Sequence, residues 1–270
     1  MAAVRRFQLG RLRQLPESRF MNQVRKFGFI ALSIVLCMCF CGFALAQQKD
    51  SKGGGSKVWD SGSFGIFING KRVGTEKFTI EQRGSQMSVA NSEITVDDGH
   101  GKVTQTAEMH VAPNGELLSY VWKGVTPQKE QSTVEPKEQL LVEHVVPADQ
   151  KKMDVPYILP PSTVILDDNF FSQRELLVWR YLATGCIMKP NEGRMCAPSH
   201  FGILVPHQHT SASAVMELMG REKITVKGHE EELNKFKMES DGVVWNFWVS
   251  DDYKVLKMTV PSSNVEVVRD

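Results

Sequence analysis

Val243-Val244-Trp245-Asn246-Phe247-Trp248-Val249 is the densest run of β-branched and aromatic residues in the chain. Such side chains fit a pleated, half-buried surface, so the run predicts a strand. Ser250-Asp251-Asp252-Tyr253-Lys254 follows it and Ser240-Asp241-Gly242 precedes it. Both read as turns, because Ser and Asp side chains bond their own backbone there. Downstream, Val255 to Val260 alternates, with Leu256, Met258 and Val260 on one face. Upstream, Phe236 and Met238 share a face of the segment from Asn234 to Glu239. Successive runs joined by tight turns make an antiparallel meander.

The same pattern recurs nearer the start. Phe64, Ile66 and Ile68 alternate with Gly65, Phe67 and Asn69, and Asn69-Gly70 is a strong hairpin signal. Val73 to Ile80 returns with Phe78 and Ile80 on the core face. Met87 to Val96 is a third strand, and Gln105, Ala107, Met109 and Val111 share a face of a fourth with Val103. Leu117 to Trp122 is a fifth. A spacing of about ten residues per strand is an all-β signature. Residues 124–136 read as polar and irregular, and Leu140 to Val146 as another strand. Residues 147–161, with Pro147, Pro156, Pro160 and Pro161, read as a loop or an edge connection.

One helix is expected near 170–183, where Leu176, Val178, Trp179 and Leu182 are too dense for alternation. Asp167-Asp168-Asn169 supplies capping groups and negative charge at its start, and Gly185 ends it. Arg180 on that helix is expected to reach outward to solvent, the alternative being a pair with an acid such as Glu222. Phe201 to Val205 resumes as a strand. The economical arrangement is mainly β: one curved antiparallel sheet wrapped around one helix, in a single domain from 58 to 270.

The first 46 residues read as an export segment. Arg25 and Lys26 precede the apolar run Phe27 to Cys41, and Ala44-Leu45-Ala46 is an A-x-A cleavage site. Met21 is an alternative start. An uncleaved inner-membrane anchor through residues 27–46 is the competing reading, since 20 residues just span a bilayer. Residues 47–57, with Gly53-Gly54-Gly55, form a flexible linker. Of 32 basic and 31 acidic residues, seven and one lie in the first 46, which leaves 25 against 30. A mildly acidic body gives no electrostatic reason to bind nucleic acid. The expected location is the periplasm or the exterior. Only Cys186 and Cys196 lie beyond the export segment, and an even count in an exported chain suggests a disulfide. A redox or metal pair is the alternative, though a separation of ten residues is far from C-x-x-C.

His207-Gln208-His209 is the most distinctive local feature. On a strand, residues two apart share a face, so His207 and His209 could meet one metal ion with His200 nearby. Pro206 and Thr210-Ser211 make the stretch look like an exposed loop instead. No cofactor is expected. Ser199-His200 and Ser211 sit in no G-x-S-x-G elbow, and the chain lacks the β/α alternation that elbow needs. Asp167-Asp168 and Asp251-Asp252 are adjacent carboxylates that point apart on an extended chain, which suits turns and caps. The expectation is a protein that is not an enzyme.

Several segments in order carry a resemblance: 67–74 with Phe78, 167–169 before 176–181, then 220–224, 248–257 and 265–268. Together they resemble an exported bacterial family of unknown function that looks like the lipoprotein-chaperone (LolA/LolB-like) superfamily. The resemblance implies an open half-barrel that holds an acyl chain, a lipidated partner or another hydrophobic small molecule. Burial of each methylene would supply about 0.8 kcal/mol. Phe78, Met109, Trp179, Trp245, Phe247 and Met258 are the candidates to line such a cavity, although a stripe of this kind also suits a sealed core. The competing expectation is an adaptor that meets another envelope protein by adding a strand at a sheet edge.

Overall fold

The computed structural model describes residues 56–270 apart from 85–86, 98, 100, 128, 149–150, 168 and 190–192. The export segment, the glycine linker and the expected capping role of Asp168 lie outside the described residues.

The chain runs through β1 (Lys57–Ile68), β2 (Lys71–Arg83), β3 (Met87–Asp97), β4 (Lys102–Val111), β5 (Leu117–Thr126), β6 (Gln131–Lys137), β7 (Leu140–Val146), β8 (Met153–Tyr157) and β9 (Val164–Ile165). The helix α1 (Ser172–Thr184) follows. Then come β10 (Cys186–Lys189), β11 (Gly193–Cys196), β12 (Ser199–Val205), β13 (Thr210–Val226), β14 (His229–Ser240), β15 (Val243–Val249), β16 (Val255–Val260) and β17 (Val265–Arg269). Fifteen strands make one sheet in the order β8 back to β1, then β17 back to β12, then β9. Every pairing is antiparallel except β9 on β12. β1 pairs with β17, so the two halves of the chain meet along its terminal strands, Phe64 opposite Arg269 and Ile66 opposite Val267.

Tight turns set the register. Asn69 and Gly70 both have positive φ, 51° and 75°, as a two-residue hairpin between right-twisted strands requires. Within each strand alternate residues are buried. Phe64 and Ile66, Phe78 and Ile80, Ala107 and Met109, Phe236 and Met238, and Phe247 all enter one core. The sheet is strongly curved but not closed. Its β9 end turns back toward β5, and the 3-10 turn Pro206–Gln208 lies against β6.

Two segments correct the expectation from sequence. Most of β6 falls in the polar stretch 124–136, where Ser132 and Val134 face inward while Thr133 and Glu135 lie on the other face. The proline-rich stretch 147–161 contains β8, the terminal strand of the sheet, with Pro156 opposite Val142. A proline is tolerated at a sheet edge, where one lost donor breaks no interior ladder.

The concave side of the sheet holds α1. Nearly the whole helix surface is buried: Ser172 through Val178, Arg180 and Tyr181. The Asp167 carboxylate does not cap it. The cap is Glu76, from the core-facing row of β2, whose Oε2 accepts the N–H groups of Phe171 at 2.7 Å and Ser172 at 3.1 Å. Glu76 Oε1 accepts the Ser172 hydroxyl at 2.6 Å, and Ser92 Oγ stands 2.7 Å from the same hydroxyl. Burial pushes the Glu76 carboxyl up, against the hydrogen bonds that favour its charge. Arg180 is the second correction. It is buried and spends its guanidinium on the carbonyls of Gly115 and Pro161, both at 2.7 Å. Glu222 instead meets Lys235 and the Trp248 indole.

Replacing Glu76 with Ala orphans the N–H groups of Phe171 and Ser172 in the core, while the Ser172 hydroxyl keeps Ser92, and is expected to cost about 2 kcal/mol or more. Glu76→Gln keeps an acceptor and should cost clearly less. Urea unfolding of the two variants checks this, and equal losses would contradict the capping role.

Candidate functional site

A buried polar cluster lies where the end of the sheet meets β5. Asp167 sits between β9 and α1 and is fully buried. Its Oδ2 accepts the Tyr120 hydroxyl of β5, a very short contact. Its Oδ1 receives the His207 backbone N–H at 3.2 Å and stands 2.7 Å from His207 Nδ1. Gln173 of α1 completes the set. Its Oε1 accepts the Asp167 N–H at 2.7 Å, and its Nε2 donates to Tyr120 Oη at 3.3 Å. Burial and the neighbouring Asp167 charge hold the Tyr120 phenol well above its usual range. The His207 ring tilts against Trp122, with centroids 6.1 Å apart.

A second cluster is built from β6, β7, β8 and His209. Glu143 is fully buried and accepts from Ser132 Oγ at 2.5 Å and Tyr157 Oη at 2.8 Å. His209 Nδ1 lies 2.9 Å from the same carboxylate, and Nε2 lies 3.8 Å from Glu130. Hydrogen bonding to Glu130 and Glu143, against a smaller opposing effect of burial, raises the His209 imidazole to about 10. His209 itself sits at φ 52°, the left-handed residue that ends the 3-10 turn.

That turn decides the fate of the histidine pair. Its residues are not a strand, and the two imidazoles go to different carboxylates, Asp167 and Glu143. His200 stands exposed on β12, opposite Val215. Among the described residues no three His, Cys, Asp or Glu groups converge on a point that could hold a metal ion. His209 instead fastens the 3-10 turn to Glu143 of β7, and His207 fastens it to Asp167, which in turn holds Tyr120 of β5. Asp167–His207 has the geometry of a carboxylate orienting an imidazole.

The hydrophobic candidates lie in the interior. Phe78, Met109, Phe247 and Met258 are buried in the main core, and Trp179 and Trp245 pack against it. Trp245 stacks on Phe247 and carries the Arg174 guanidinium 4.3 Å from its ring. Trp179 Nε1 donates to the Tyr253 carbonyl at 2.8 Å. One depression of about 510 Å³ is lined mainly by outward-facing residues of β2–β5, including Lys77, Asn91, Glu93 and Lys123. Phe78 borders it from the inner row. Another, of about 340 Å³, lies over β13–β14 beside Asp241.

Cys186 and Cys196 form a disulfide at the base of the β10–β11 hairpin. Beyond it Ile187 and Met188 are 61% and 70% exposed, and Met195 is also exposed. Arg194 reaches back to the Tyr253 hydroxyl at 2.8 Å. No helix among the described residues is long and apolar enough to cross a membrane.

Glu76, Tyr120, Glu143 and Glu175 were not singled out from sequence. Their signal was parity: Glu76 shares a row with Phe78 and Ile80, and Glu143 with Leu141 and Val145. A charge in the buried row of a strand announces a partner across the core.

No protein-family model and no curated protein matches the sequence. Among solved structures the chain is similar to the crystal structure of a beta-barrel-like protein of a domain of unknown function, DUF1849, from Brucella abortus. The TM-score is 0.48 and the identity 6%, over 78% of this chain and 94% of that one.

The pH dependence of His209 has a definite sign. Its folded value, about 10, exceeds the usual 6.5. Its contribution to stability is therefore full below about pH 6.5 and lost as pH rises through about 10. Stability measured from pH 6 to 10 should fall more for the wild type than for His209→Gln, and parallel curves would contradict the paired imidazolium. Asp167→Ala orphans the Tyr120 hydroxyl and the His207 N–H. It should cost about 1–3 kcal/mol for each buried group left unpaired, measured by urea denaturation.

Proposed function

We propose that the protein is a non-enzymatic adaptor of an oxidising envelope compartment, engaging a protein partner through its outer surface. The observation that carries this reading is the filled interior. The concave face that would cradle an acyl chain holds α1, whose side chains are hydrogen-bonded to strands on several sides. Two exposed elements are available to a partner. The β8 edge is short and carries Asp154 and Pro156, residues that interrupt continuous strand addition. The disulfide-clamped β10–β11 hairpin presents Ile187, Met188 and Met195 in a stiff frame. Ordering such a frame costs little on binding, which favours it as the contact.

The lipoprotein-chaperone resemblance supports a different reading, a hydrophobic ligand held against the sheet, and the two readings separate cleanly. Native mass spectrometry of protein purified from its own host should give a polypeptide mass lighter by two hydrogens for the disulfide, alone or with a stoichiometric protein partner. A co-purifying mass in the lipid range would contradict the adaptor reading. Ile187→Ser with Met188→Ser should leave thermal stability within about 0.5 kcal/mol, as for exposed sites generally, while removing that partner.

A further inference from the structure

Asp60 of β1 and Glu175 of α1 are both buried carboxyl groups, 3% and 0% exposed. Among the described residues they hold the only buried carboxyl oxygens with no hydrogen-bond partner, Asp60 Oδ2 and Glu175 Oε1. The other oxygen of each group is engaged. Glu175 Oε2 accepts the Val255 N–H at 3.0 Å and lies 3.4 Å from Arg269 Nη1. Asp60 Oδ1 accepts from Arg269 Nη2 at 2.6 Å and lies 3.5 Å from Lys254 Nζ. One guanidinium therefore bridges two carboxyl groups whose remaining oxygens are left over.

Two ionised carboxylates cannot share a buried site, because neither can donate and each repels the other. A single proton resolves both deficits, turning one unpaired oxygen into a donor for the other. A metal ion is a poor alternative occupant, since Arg269 and Lys254 already supply positive charge within 3.5 Å of Asp60. We propose that Glu175 is held protonated in the folded protein and shares its proton with Asp60, forming a proton-dependent clasp between α1 and the β1–β17 seam.

The choice of Glu175 as proton carrier follows from its surroundings. Burial, then the hydrogen bond and charge of Asp60, push it up, against the Val255 N–H and Arg269. Its place in the first turn of α1 also favours the charged form, and burial outweighs that. At Asp60 burial is opposed by Arg269, Glu175 and Lys254, and the net shift is downward, so Asp60 keeps the charge. The charged groups facing the pair are Arg269 from β17 and Lys254 from the turn before β16, with Asp252 beside Lys254. Glu76, at the start of the same helix, is taken up by Ser172 and the helix N–H groups. The Arg269 guanidinium lies 5.9 Å and 5.2 Å from the rings of Phe64 and Phe78, so aromatic side chains border one side of the cluster.

An acid raised above its unfolded value stabilises the fold fully at low pH and progressively less as pH climbs toward the folded value. The clasp therefore loosens on the alkaline side. Two measurements on the folded chain test it. At neutral pH the infrared spectrum should show a protonated-carboxyl band that shifts on deuteration and is missing from Glu175→Gln. In urea titrations the unfolding constant of the wild type relative to Glu175→Gln should rise with pH, by up to tenfold per unit. A wild-type spectrum without the band overturns the proposal whatever the variant does, and so does a wild-type to variant ratio that is flat from pH 5 upward. If Glu175→Gln does not fold, Asp60→Asn replaces it. Removing the Asp60 carboxylate changes the acceptor of the shared proton, so the band should shift in frequency or disappear there, and a band unchanged from the wild type would overturn the sharing.

Discussion

A helix with polar side chains on several sides is enclosed by a sheet at low cost only where those side chains meet partners. That constraint governs this protein. α1 carries Ser172, Gln173, Arg174, Glu175 and Arg180 into the concavity. Each is answered from a different direction: Glu76 from β2, Tyr120 from β5, the carbonyls of Asp167 and Phe170 for Arg174, Arg269 from β17, and Gly115 from the turn before β5. An unanswered group would cost more than the average hydrogen bond returns. The helix is thus accepted in one rotation and one depth, and the curvature of the sheet follows from reaching it on all sides.

The same logic closes the sheet without making it a barrel. Its β9 end lacks the length to pair with another strand, so side chains make the junction. Asp167 and Glu143 each take a hydroxyl from the first half of the sheet and an imidazole from the 3-10 turn of the second half. At the opposite side the terminal strands β1 and β17 are joined by a backbone ladder and by the Asp60–Arg269 pair. Asp60 and Arg269, 209 residues apart in sequence, therefore become neighbours, which raises the contact order and favours slow folding.

Much of the sheet was legible in the sequence, because the period of two is imposed locally. The rows through Phe78 and Ile80, Gln105 to Val111, and Phe236 and Met238 all face the core as alternation requires. The helix was legible from its density of large residues, and the Cys186–Cys196 bridge from an even cysteine count. β6 and β8 were not, since their short apolar rows are diluted by Pro136 and Pro156. The role of Asp167 was misread as a cap, and Arg180 as an outward-reaching cation. Both errors have one source. The groups that answer them, Tyr120, His207, Gly115 and Pro161, lie up to 65 residues away, and local pattern does not specify which strand will arrive. The sequence left open whether His207 and His209 share a face; with a left-handed residue at His209 the two imidazoles meet separate carboxylates.

On the adaptor reading proposed above, a partner would meet the outer surface, where a disulfide clamps the β10–β11 hairpin, because an anchored helix occupies the concavity. That division rests on α1 being an integral part of the core rather than a plug that moves aside. Native-state hydrogen exchange of the α1 amides measures this directly. If the helix is integral, its central amides exchange only through global unfolding, at the same free energy as those of β2 and β3. Exchange of α1 at a distinctly lower free energy, while the sheet stays protected, would mean that the helix leaves as a unit and would contradict the account.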